Sequence, residues 1–159
     1  MPEGQDPAVA AVLTARIAEV TDRLLRDCIA LGAPVPEFIV RVGRERVDRF
    51  DERYPHLTEQ LLAHLDPEAV YIHISVPPDH SSTGVRCTPG RTIEEICADA
   101  AEALQELLIE GELWGAAWPP CPAHRVHPLW PELLDGIAVW RCDTGPQYRI
   151  PVGELPADR

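Results

Sequence analysis

The sequence predicts an α+β fold: two long amphipathic helices packed on a small β-sheet, with a C-terminal β-hairpin appendage. Three observations carry that expectation. Apolar residues recur at three- and four-residue steps over residues 7–31 and again over 91–111. A run with period two, Val70–Val76, lies between them. From Trp114 the composition changes, with Trp114, Trp118 and Trp130 close together and Pro119, Pro120, Pro122, Pro128 and Pro131 interleaved. So many prolines exclude a long helix there. The expected division is an α+β domain over 1–113 and a Trp/Pro-rich segment over 114–159 packed on it.

The first helix is expected from Asp6 as cap and Pro7 in the first turn. Its stripe is Val9, Val12, Leu13, Ile17, Val20, Leu24, Cys28 and Leu31, and Gly32 with Pro34 ends it. Phe38-Ile39-Val40-Arg41-Val42 is β-branched and reads as a short strand. From Arg41 to Tyr54 five Arg alternate with acidic residues, the pattern of a solvated face. Their guanidinium forks could instead hold a carboxylate or phosphate. Leu57–Leu65 reads as a short helix. In Val70–Val76, Val70, Ile72, Ile74 and Val76 share one face. Residues 77–91 are expected to be loop. Thr92-Ile93-Glu94-Glu95 fits a capping box and opens the second helix. Ile93, Ile96, Cys97, Ala100, Leu104, Leu107 and Leu108 form its stripe, and Gly111 stops it. Ile137–Trp140 reads as a last apolar strand, with Tyr148-Arg149-Ile150 able to pair back on it.

Composition removes whole mechanisms. All 14 basic residues are Arg, and the chain contains neither Lys nor Asn. Schiff-base chemistry, a Walker A loop and a Ser-x-x-Lys acylase are therefore excluded, as is a Cys-His-Asn triad. The absence of both residues, whose codons are AT-rich, suggests a GC-rich genome. A net charge of −12 disfavours nucleic acid as a partner, because phosphate binding needs basic neutralisation. Glu94, Glu95, Asp99, Glu102, Glu106, Glu110 and Glu112 follow one another with no base between them. That face is either solubilising or a surface for a basic protein partner. No apolar run approaches the roughly 20 residues of a membrane span. The N-terminal residues do not resemble a secretory signal, so a cytoplasmic protein is expected. Five cysteines without such a signal argue against a disulfide framework. Cys28 and Cys97 fall on helical stripes and are expected in the core.

The chemistry is concentrated near the C-terminus, in Cys121-Pro122-Ala123-His124-Arg125-Val126-His127 and Trp140-Arg141-Cys142-Asp143-Thr144-Gly145. The spacing Cys-x2-His-x2-His-x14-Cys offers four soft or borderline ligands. Zinc takes four such ligands tetrahedrally in structural sites. The two-residue spacer lets Cys121 and His124 turn onto one ion, and a distant Cys142 would staple a returning strand to the loop.

Cys121-Pro122-Ala123-His124 resembles the first knuckle of a zinc ribbon, and Trp140–Gly145 the start of the second. The resemblance covers about residues 118–150 and implies a small β-structured module with structural zinc that contacts other macromolecules. The second knuckle would carry another ligand after two spacer residues, where this chain has Gly145, so His127 would supply the fourth bond. The wider Cys-Pro-x-His…His-Pro-Leu…Trp-x-Cys arrangement is similar to small proteins of high-GC bacteria, a likeness that implies no function.

These readings converge on a non-enzymatic binding or accessory protein, with zinc on Cys121, His124, His127 and Cys142 and no catalytic residues. One alternative is a small hydrolase. It would use either an open three-ligand zinc with Glu132 or Asp143 as base, or Cys87 as nucleophile with His80 as base near His73. Another is an acidic immunity or inhibitor protein that occupies a nucleic-acid-binding site.

Overall fold

A computed structural model describes residues 7–42, 69–78, 81–144 and 148–157. Among them the chain is α+β, with two helices and two small three-stranded antiparallel sheets. The short helix expected over Leu57–Leu65, most of the Arg-rich stretch and His80 lie outside the described residues. No helix among the described residues is long and apolar enough to cross a membrane.

Helix α1 spans Pro7–Ala30. Its buried positions Leu13, Ile17, Val20, Leu24 and Cys28 follow the three- and four-residue steps, while Val12 is half exposed. Gly32 then turns the chain with φ +62°. Strand β1, Glu37–Val42, pairs antiparallel with β2, Val70–Val76, placing Ile39 opposite His73. Ile72, Ile74 and Val76 of β2 are buried, as alternation requires.

The loop expected over 77–91 is not what forms. Ser81–Cys87 is a strand, β3, paired antiparallel with β2 so that Val76 faces Ser81 and Val70 faces Cys87. Two serines and a glycine hide it, because β-propensity is weak there. Its inward Val85 and Cys87 nevertheless complete the alternation on the core side.

Helix α2 spans Ile93–Glu110, starting with the expected capping box and ending at Gly111. It is the central element, packing against α1, against β2 and β3, and against strands β4 and β5 of the second sheet. Strand β4 is Trp130–Leu134, β5 Ile137–Arg141 and β6 Arg149–Pro151, in the order β4-β5-β6. The β4–β5 turn is Asp135-Gly136, with φ +51° and +80°, so both turn residues are left-handed as a two-residue hairpin demands.

One core cluster runs from Leu13 of α1 through α2 to Trp140 of β5 and Leu155. Trp118 and Trp140 meet edge to face within it, centroids 5.7 Å apart. Packing of the Trp/Pro-rich segment does not bury all of its Trp residues, since Trp114 is 80% and Trp130 41% exposed. Trp114 follows the α2 stop, and Trp130 lies on the edge strand β4 on the face opposite Trp140, so neither reaches the core.

Candidate metal centre

The centre is assembled by two pieces of chain that α2 and β5 bring together. The first is a narrow loop over 119–129, closed by Leu129 N–H donating to Pro119 O (2.7 Å) and Cys121 N–H to His127 O (3.1 Å). Inside it, Arg125 N–H donates to Cys121 O (2.8 Å) and His124 N–H to the same oxygen (3.3 Å). The tight turn is completed by Arg125 at φ +54°. Gln105 of α2 fixes both arms, its Nε2 donating to Trp118 O (2.8 Å) and Leu129 O (2.6 Å). The second piece is the end of β5, where Cys142 N–H donates to Tyr148 O (3.1 Å).

The ligand atoms of Cys121, His124, His127 and Cys142 all lie within 4.8 Å of one another. Cys121 Sγ is 3.3 Å from His124 Nδ1, and Cys142 Sγ is 3.5 Å from the same atom and 3.7 Å from His127 Nε2. The two nitrogens are 2.9 Å apart. Zinc bonded at its usual distances gives tetrahedral edges of about 3.5 Å for S···N and about 3.4 Å for N···N. The S···N separations fit those edges while the two nitrogens stand closer than theirs, so the cluster could hold a metal ion, compatible with zinc, once the imidazoles part slightly. Both sulfurs are buried while His124 is exposed. His127 Nδ1 lies 2.9 Å from Pro128 O, so the hydrogen-bonded tautomer leaves Nε2 with its lone pair directed at the cluster.

One residue at the centre is absent from the spacing argument. Thr144 Oγ1 stands 3.3 Å from Cys142 Sγ. The Thr144 hydroxyl, then its backbone N–H, pull the Cys142 thiol down to about 6, with smaller help from Cys121 and His124. The other thiols with shifted values move the opposite way. Burial pushes Cys28 and Cys97 up to about 12 and Cys87 up to about 11.

Among the described residues, the remaining candidates do not come together as a site. Cys87 is buried in β3 with its Sγ directed at Val85 O, and its suggested partner His80 is outside the described residues. Glu132 and Asp143 both pair with Arg141, which occupies the carboxylates a base would need. On α2, Glu94 pairs with Arg23 (2.8 Å) and Asp99 with Arg91 (2.7 Å), so the acidic face is partly answered from outside the helix.

No family model, curated protein or solved structure matches this chain.

Proposed function

We propose that this protein is a non-enzymatic cytoplasmic binding or accessory protein whose C-terminal segment folds around a structural zinc ion on Cys121, His124, His127 and Cys142. The observation that carries this reading is the convergence of four ligand atoms, from chain segments about 15 residues apart, to within 4.8 Å of one another, with S···N separations close to a zinc tetrahedron's edge. Four protein ligands close the shell, and closed sites are structural. A hydrolytic role is less well supported, because Cys87 is a buried, protonated thiol and both candidate carboxylates are committed to Arg141. Glu102, Glu106 and Glu110 are exposed and four residues apart on α2. They would give a basic partner a continuous acidic stripe.

The test is metal analysis of the purified full chain beside Cys121→Ser and Cys142→Ser. The expected result is one zinc per chain in the wild type and loss of it in both variants. Wild-type protein without stoichiometric metal would sink the proposal. For the stripe, an Arg-rich peptide should bind in low salt, release as salt rises, and fail to bind a Glu102/Glu106/Glu110→Gln variant.

A further inference from the structure

We propose that Thr144 is a positioning residue of the metal centre: its hydroxyl donates to the Cys142 thiolate and covers the face formed by His124, His127 and Cys142. The inference rests on the reading of those side chains as metal ligands. Thr144 Oγ1 is 3.3 Å from Cys142 Sγ, 3.3 Å from His124 Nδ1 and 3.3 Å from His127 Nε2. An atom equidistant from three others lies over the triangle they form.

A hydroxyl has one hydrogen to donate. Once His124 Nδ1 and His127 Nε2 bind an ion, their lone pairs are used and neither can accept that hydrogen. The thiolate sulfur keeps lone pairs free. Of the three neighbours it is therefore the one acceptor left, and the bond is charge-assisted. The chain builds this placement: β5 ends at Arg141, Cys142 is tied to Tyr148 O, and Thr144 follows two residues on. Two consequences follow for the ion. The sulfur's charge is partly neutralised without loss of the bond, and the hydroxyl fills a direction from which a water could enlarge the shell.

The experiment compares the full-length wild type with Thr144→Val, which keeps the shape, and Thr144→Ser, which keeps the hydroxyl. Zinc affinity is read by competition with a chromophoric chelator, and thiolate-to-metal charge transfer by cobalt(II) substitution. Thr144→Val should bind zinc about 10–100-fold more weakly. Its cobalt charge-transfer band should move to longer wavelength, because the sulfur regains electron density. Thr144→Ser should stay close to wild type in both. Metal-binding wild type with an unchanged Thr144→Val overturns the role of Thr144 and leaves the metal centre standing. Equal weakening in Val and Ser variants also overturns it, since the hydroxyl is then not the cause. Wild type that takes up neither metal overturns both the centre and this inference. Thr144 is exposed, so neither substitution disturbs the core.

Discussion

Asp27 is a carboxylate at 1% exposure inside a core that is otherwise apolar but for Gln105 among the described residues. Its Oδ2 accepts from Trp140 Nε1 (2.7 Å) and Gly153 N–H (2.7 Å), and its Oδ1 from Leu155 N–H (3.0 Å). Burial pushes its carboxyl above the ordinary range, against the pull of those three donors. Asp27→Asn keeps the size but turns one oxygen into a donor that faces a donor. It should cost about 1–3 kcal/mol in urea unfolding. A variant as stable as wild type would show that the three bonds contribute nothing net. Nothing in the sequence marks Asp27 or the equally buried Gln105 as core, because the groups that satisfy them lie 13 to 128 residues away. The four metal-ligand candidates were legible for the opposite reason: their chemistry is carried by residue type and local spacing. Thr144 escaped because a hydroxyl in a turn usually serves its own backbone.

At the scale of elements, local signals that do not depend on distant packing were readable. The start of α2 is the clearest. Glu95 N–H donates to Thr92 Oγ1 (3.2 Å), and Thr92 N–H donates back to Glu95 Oε2 (2.6 Å). Thr92→Ala should cost about 1 kcal/mol. The backbone N–H of Thr92, then its hydroxyl, hold the Glu95 carboxyl below its ordinary value of 4.5. A carboxylate depressed in the folded state adds stability above that ordinary value, and the contribution disappears as pH falls through the lower, folded one. Stability of the wild type should therefore drop more steeply below pH 4.5 than that of Glu95→Gln, which has no carboxyl to protonate. Parallel acid limbs in unfolding titrations would argue against the linkage. Strand β4 was missed although Asp135-Gly136 is a strong two-residue hairpin signal, because Pro131 argues against a strand. Pro131 is tolerated there since β4 is the edge of its sheet. Strand β3 was missed for want of β-formers, its place being set by pairing with β2.

Across the whole molecule, α2 carries both sheets, and Gln105 couples it to the loop that presents Cys121, His124 and His127. If zinc closes the centre, metal binding is coupled to folding of the segment around it. Adding a strong chelator to zinc-loaded protein should lower Tm by several degrees, given roughly 2–4 °C per kcal/mol for a chain of this size. It should also raise amide exchange over 119–129 more than over α1. A chelator-insensitive Tm and exchange pattern would mean that the segment holds without an ion.

The bonds from Asp27 to Gly153 and Leu155 join residues at opposite ends of the described chain. During synthesis α1 emerges before the partners of its buried carboxylate, the farthest of which lies 128 residues further on. Until residue 155 has left the ribosome, Asp27 must stay hydrated, which keeps α1 from settling into its final packing. The packing of α1 is thus completed by the segment that follows β6, and its rate of formation should be governed by long-range closure rather than by the speed of its helices.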